Sequence, residues 1–288
     1  MLKITDKLRP QSLIPPYPIY HKGDYFEEYF FKRFMIEYPK GEINGIRYIP
    51  IFWTNCYTNK VFKGINYEIQ STLNKLNIDD KYFTISQHDD CVNEVLPKNT
   101  YVFSMGGNKT GDNIIPIPLI CSPINDGIEK KIKNKKINIS FVGSLTHPIR
   151  NTLYNHYKTD KDFLFSVKNW SLDIGEENFK TFKEITLDSY YTLSPRGYGK
   201  TSFRLYESMQ LNSVPIYVYD NSWLPWKELD WAKLCVLIDE NNIPNIKNII
   251  SDLDHTKMLN YKNEVYGDYF TYDGVYKNII KTIKNDNI

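Results

Sequence analysis

Apolar residues along this chain come in two arrangements: short uninterrupted runs, and longer stretches in which they recur every three or four positions. In the first half, the runs Tyr48 to Trp53, Tyr82 to Ser86, Tyr101 to Ser104 and Ile114 to Ile120 predict short strands buried on both faces. A helical period predicts helices at about Tyr25 to Ile36 and about Lys63 to Leu76, after an extended opening at Pro15-Pro-Tyr-Pro18. The second half repeats the logic. Strands are expected at Ile137 to Val142, Phe163 to Val167, Tyr190 to Leu193, Val214 to Tyr219 and Leu234 to Ile238. Helices are expected at Ile149 to Tyr157, Glu177 to Glu184, Ser202 to Leu211 and Ile243 to Leu253. Such alternation predicts parallel sheets covered by helices.

At 288 residues the chain is long enough for two domains with separate cores. The polar, lysine-rich stretch around residues 124 to 136 marks the boundary. It divides a first α/β domain over residues 1–130 from a second over 131–288, whose last helices are free to pack back on the first. The expected fold is therefore α/β, with two Rossmann-like, doubly wound domains facing a cleft. Ligands of such sheets bind beyond the carboxyl ends of the strands.

Charge narrows the partners. With 36 cations against 34 anions the formal net charge is +2, so no global field draws the chain to nucleic acid. The run Lys130 to Lys136 reads as a solvated linker. Cys56, Cys91, Cys121 and Cys235 are widely spaced, without a Cys-x-x-Cys pair or a histidine at ligand spacing, which suggests neither zinc nor a disulfide scaffold. No apolar run approaches bilayer length and the first residues lack a signal-peptide core, so a soluble, cytoplasmic protein without a transmembrane segment is expected. The acceptor patterns at Asn108, Asn138 and Asn169 arise readily in an Asn-rich chain and do not change that expectation. Tyrosine abundance suits sugar stacking but is unspecific.

The strongest chemical signal is Ser194-Pro-Arg-Gly-Tyr-Gly-Lys-Thr-Ser-Phe-Arg-Leu-Tyr-Glu207, laid across a predicted strand-to-helix junction. Gly197 and Gly199 allow close backbone approach and positive φ, and Ser202 is placed to cap the helix. The helix start offers unpaired N–H groups and partial positive charge to a phosphate. Arg196, Lys200 and Arg204 add counter-charge, while Arg204 and Glu207 fall about 60° apart on the helix and can face one ligand. The alternative is a solvated ion pair beside an ordinary loop. In the first half, Ser86-Gln-His-Asp-Asp90 follows a strand, so His88, Asp89 and Asp90 are candidates for a general base, or for turn and capping roles. Gly106 and Gly107, after the next strand, mark close approach or a turn.

From about Ile139 onward the residues resemble the exostosin-like glycosyltransferases of carbohydrate-enzyme family 47. The matching segments are Ser140-Phe-Val-Gly-Ser144 with Arg150, then Leu193-Ser-Pro-Arg-Gly-Tyr-Gly with Ser202-Phe-Arg-Leu-Tyr-Glu207, then Val214-Pro-Ile-Tyr-Val218 and Leu224-Pro-Trp-Lys-Glu-Leu-Asp-Trp231. The resemblance implies a GT-B fold and inverting transfer from a UDP-sugar donor to a hydroxyl of an oligosaccharide or glycoprotein glycan, with no cofactor and no essential metal. The donor sugars it leaves open are xylose, galactose, arabinose and glucuronate. By position, Arg196 and Arg204 would contact the diphosphate, Ser202 the phosphates and Glu207 the ribose. Gly143, Ser144 and Arg150 would form a second donor-facing loop, Gly197 and Tyr198 belong to the first, and Asp220 to Trp223 would shape the cleft. The better-known members carry a Gly-Arg-Asp-His type segment where this chain has Gln87-His-Asp-Asp90.

Three rivals compete. A metal-dependent transferase needs Asp-x-Asp after a strand, and Asp252-Leu-Asp254 sits at a predicted helix end. A dinucleotide oxidoreductase needs Gly-x-Gly-x-x-Gly, which the chain lacks. A catalytically inactive glycan- or nucleotide-sugar-binding protein is the remaining alternative.

Overall fold

A computed structural model describes every residue except 1, 3, 13–15, 59–63, 125–133, 172–174 and 286–288. The first half contains α1 (Phe26–Glu37), β1 (Glu42–Ile43), β2 (Ile46–Tyr48), α2 (Trp53–Thr58), α3 (Ile65–Leu73), β3 (Lys81–Ser86), β4 (Thr100–Ser104) and β5 (Ile114–Pro116). The second contains β6 (Ile137–Gly143), α4 (Pro148–Tyr157), β7 (Phe163–Val167), α5 (Glu176–Leu187), β8 (Ser189–Leu193), α6 (Phe203–Gln210), β9 (Val214–Tyr219), α7 (Trp231–Leu234) and β10 (Val236–Asp239). After a 3₁₀ turn, α8 (Ile246–Ser251), α9 (His255–Tyr269) and α10 (Tyr272–Lys284) complete the chain.

The first sheet has strand order β1-β2-β3-β4-β5, with β1 antiparallel to β2 and the other neighbours parallel. Alternation along β3 and β4 splits the side chains between two faces. Phe83, Ile85 and Phe103 join Phe26, Phe30 and Phe34 of α1, while Tyr82 and Val102 join Cys56 of α2 and Ile65 and Ile69 of α3. Helices therefore cover both faces, although the strands run in sequential order.

Three expected strands are shorter than their apolar runs. The run Tyr48 to Trp53 stops pairing at Tyr48, because Pro50 lacks the N–H a ladder requires and Trp53 opens α2. Pro116 and Pro118 end the run Ile114 to Ile120 in the same way. Leu234 belongs to α7, so the last strand begins at Val236. The β1–β2 hairpin was not expected; its turn is Asn44-Gly45, both in the left-handed region.

The second sheet is wholly parallel, in the order β10-β9-β8-β6-β7. Numbered from β6 along the chain, this is the 2-1-3-4-5 doubly wound order, and its topological switch lies between β6 and β8. One face packs on Ile149 and Leu153 of α4 and Ile246 of α8. On the other side lie α5, through Phe182, and α6.

Part of the expected boundary falls outside the described residues, including 130–133 of the lysine run. Lys135 corrects the reading of that run as a solvated linker. It is buried, and its ammonium donates to the carbonyls of Leu187, Ser189 and Asn212 at 2.9, 2.9 and 2.8 Å. An extended stem reaching three inward-facing carbonyls offsets the desolvation of its charge.

One core crosses between the two sheets. Leu205, Tyr206 and Met209 on the rear of α6 pack in the same cluster as Phe30, Phe83, Leu119 and the α10 residues Val275, Tyr276 and Ile279. Helix α10 lies against α1: the Tyr276 hydroxyl donates to Glu37 at 2.9 Å, and the Arg33 guanidinium stands 4.1 Å from the Tyr276 ring centre. Asp252 and Asp254 terminate α8 and cap α9, where Asp254 accepts the Lys257 N–H, and a second Asp-x-Asp, Asp160-Lys161-Asp162, lies before β7 rather than after a strand and pairs with Lys247.

Candidate active site

The loops leaving β6 and β8 meet at the topological switch of the second sheet, where diverging helices leave room for a ligand. Ser202 caps α6 by accepting the Arg204 N–H at 3.1 Å. Arg204 then projects from the first turn. Its guanidinium lies 3.5 Å from the Phe182 ring centre, donates to the Val142 carbonyl at 2.9 Å and pairs with Glu207 at 3.0 Å. The i,i+3 spacing makes that pair, as the helical wheel requires. Glu207 also accepts a 2.6 Å hydrogen bond from Tyr20, whose ring stacks on Phe179. Both carboxylate oxygens thus have partners, and Glu207 is buried.

Arg150 is the second inward cation. Three backbone carbonyls accept from it: Arg196 at 2.9 Å, Ser144 at 3.0 Å and Pro195 at 3.4 Å. No ion pair among the described residues includes it. Burial, and then repulsion from Arg204, push its pKa down to about 10, so it remains a cation at neutral pH. A half-buried guanidinium bonded to carbonyls, with no carboxylate partner among the described residues, favours an arriving anion.

Arg196 is not a third inward cation. Its side chain grips Asp220 at 2.7 and 2.9 Å and the Tyr198 carbonyl at 3.1 Å, and it does not line the cavity. The ion pair uses the guanidinium that the motif assigned to diphosphate. The glycines also act differently from expectation. Neither Gly197 nor Gly199 takes a positive φ; both serve close approach. A Cβ on Gly197 would stand 3.2 Å from the Arg150 guanidinium, and one on Gly199 would overlap the Asp89 carboxylate and lie 2.7 Å from the Gly106 carbonyl.

That overlap marks where the two domains touch. The Lys200 N–H donates to the Gly106 carbonyl at 3.0 Å, and the Tyr198 hydroxyl donates to Asp90 at 3.2 Å. Gly106 in turn lies under the Asp89 backbone, whose carbonyl would stand 2.6 Å from an added Cβ. Gly107, at φ +84°, faces the buried Trp223 ring, and none of Asp220 to Trp223 lines the cavity. Of the three candidate bases only Asp89 lines the cavity. Burial, with help from Asp90 and against Arg196, raises its pKa to about 6. Asp90 is held by Asn108 at 2.9 Å and by Tyr198. His88 turns aside: its Nδ1 accepts the Asp90 N–H at 3.1 Å and its ring stands edge-on to Tyr57.

The cavity between the domains has a volume of about 580 Å³. It brings together Asp89, Gly143, Ser144, Arg150, Gly197, Tyr198, Ser202, Arg204 and Glu207 from the expected set, and leaves out His88, Asp90 and Arg196. It also has walls the sequence reading missed: Tyr17 and Pro18 from the opening segment, and Lys168, Asn169 and Trp170 after β7. Glu27 was missed too. From buried α1 it accepts the Gln87 N–H at 2.7 Å and the Thr54 hydroxyl at 2.8 Å, anchoring the loop that carries Asp89. Burial, partly opposed by those hydrogen bonds, raises its pKa to about 7.

Residues 77–253 match the model of the exostosin GT47 domain. This chain belongs to the exostosin GT47 family. The exostosin GT47 match opens before β3 and closes just after α8, so it contains Asp89, Gly143, Ser144, Arg150, Gly197, Tyr198, Ser202, Arg204 and Glu207. Tyr17, Tyr20 and Glu27 precede it, and α9 and α10 follow. A probable glycosyltransferase of Arabidopsis thaliana is 29% identical over 121 residues, covering 41% of this chain and 24% of its own length. Exostosin-1a of Danio rerio is 25% identical over 148 residues, covering 46% of this chain and 20% of its own length. The chain thus spans at most about a quarter of those curated relatives. Among solved structures, AviGT4, a glycosyltransferase involved in avilamycin A biosynthesis, superposes with a TM-score of 0.43 at 10% identity, covering 96% of this chain and 95% of its own. The two-domain α/β architecture with an intervening cleft, expected of this exostosin GT47 protein, is read from its own two sheets. Among the described residues no helix is long and apolar enough to cross a membrane, and the four cysteines are buried and unpaired.

Proposed function

We propose that this protein is an inverting glycosyltransferase that moves a sugar from a UDP-sugar to a hydroxyl of a glycan acceptor, without an essential metal. The observation that carries the reading is the half-buried Arg150 guanidinium, which faces the interdomain cavity beside Arg204 and lacks a carboxylate partner among the described residues. Together with the capped start of α6, the two cations supply what a departing diphosphate needs.

In this mechanism Asp89 accepts the proton of the acceptor hydroxyl as its oxygen attacks the anomeric carbon. The carbon–oxygen bond to UDP breaks on the opposite face, and its electron pair goes to the terminal phosphate oxygen. Arg150 and Arg204 neutralise the charge that develops there. A carboxylate with a pKa near 6 suits the base: it is mostly ionised at neutral pH yet more basic than an exposed aspartate. Glu207, held by Arg204 and Tyr20, takes the ribose hydroxyls with its remaining lone pairs. Relatives include a probable glucuronosyltransferase of Physcomitrium patens, which keeps glucuronate in the donor screen beside xylose, galactose and arabinose.

The test is a thermal-shift titration with UDP and the four UDP-sugars, with and without EDTA. Stabilisation by UDP that survives EDTA is expected; no UDP effect would remove the donor reading. Transfer to a simple glycan, with product configuration read by NMR, then separates an inverting enzyme from a retaining one and from an inactive binder.

A further inference from the structure

We infer that Trp170 is the stacking platform for the donor's nucleobase; this rests on the nucleotide-sugar reading of the cavity. Of the five tryptophans, Trp53, Trp223, Trp226 and Trp231 are buried. Trp170 alone is open, at 57% exposure, and it faces the cavity. An indole left uncovered at a cavity wall has a π-face to offer, and Asn169 beside it offers a side-chain amide to the edge of a base. Tyr17, contributed by the opening segment, lines the same cavity.

Strand order decides which part of a donor lies there. The Gly197–Lys200 loop after β8 touches Asp89, so the reacting sugar belongs at that end. Arg150 and Arg204 gather at β6 and the start of α6, in the middle. Strand β7 is the edge on the far side of β6, and Trp170 follows it. A UDP-sugar is linear, with sugar, diphosphate, ribose and base in that order. With its sugar by Asp89 and its diphosphate on the two arginines, its base reaches the end of β7. An acceptor sugar would instead have to stack at the opposite end of the cavity from the base catalyst, which transfer forbids.

The test uses Trp170→Ala and Trp170→Phe in the full chain, with UDP and inorganic pyrophosphate as probes, calorimetry for affinity and tryptophan fluorescence for contact. Trp170→Ala is expected to weaken UDP by roughly 5- to 150-fold and leave pyrophosphate unchanged, since base stacking is worth about that much. Trp170→Phe is expected to restore most of the affinity while abolishing the fluorescence quench that UDP causes in the unaltered protein. Equal UDP affinity in Trp170→Ala, or an equal loss for pyrophosphate, overturns the stacking role. An unaltered protein that binds pyrophosphate but not UDP also overturns it, and one that binds neither overturns the donor reading itself.

Discussion

At the residue scale, burial separates groups that look equivalent in the chain. His88, Asp89 and Asp90 are consecutive, yet only Asp89 is pressed against Gly199 and open to the cavity. We predict that Asp89→Asn slows transfer by about 10² to 10⁴-fold while leaving UDP affinity unchanged, and that Asp90→Asn and His88→Ala stay within a few-fold of the unaltered protein. The rate should rise with pH through about 6, as the Asp89 carboxylate loses its proton, and that limb should vanish in Asp89→Asn. Arg150→Ala should weaken UDP by about 10- to 100-fold, because one charge-assisted contact is worth about 1.5–3 kcal/mol. Calorimetry with UDP checks it. Arg150, Arg204 and Glu207 were legible in the sequence because one turn of helix or one strand end sets their direction. Arg196 was not, since its partner Asp220 arrives from the end of the next strand.

At the element scale, the loop after β3 is shaped by what lies above and below it. Glu27 of α1 holds it at Gln87, and Gly106 leaves room for the Asp89 backbone. Gly106→Ala meets backbone atoms with no flexible end to move, so a loss of about 1–3 kcal/mol in stability is expected, measured by urea denaturation. Glu27 gives a pH signature. Its folded pKa of about 7 exceeds the ordinary 4.5, so its contribution is fully present below about 4.5 and is lost as pH rises to about 7. Glu27→Gln, which cannot titrate, should therefore gain on the unaltered protein by up to about 3 kcal/mol across that window. A constant difference would reject the raised pKa. Most strands were legible because parallel strands buried on both faces read as plain apolar runs. Ends were misjudged at Pro50, at Pro116 and Pro118, and where Leu234 closes α7, and the β1–β2 hairpin was overlooked although Asn44-Gly45 carried its signal.

At the scale of the whole molecule, the two sheets share a core through the rear of α6, with α10 returning to α1. Calorimetry should accordingly show one cooperative transition. Two resolved transitions would mean that the α6 contact does not couple the halves. Nothing in the periodicity of α6 announced this, because an apolar helix face does not name the surface it meets. The opening segment was opaque for a related reason: Tyr17 and Tyr20 gain a role only by lying across the second domain, far from their place in the chain. The double use of α6 also bears on engineering. Its front carries Ser202, Arg204 and Glu207, and its back carries Leu205, Tyr206 and Met209. A chimera that grafts a foreign first half onto this second half cannot be designed from the chain boundary alone. The graft must also reproduce the surface that receives the back of α6, or the helix that carries Arg204 and Glu207 into the cavity will shift with its new neighbour.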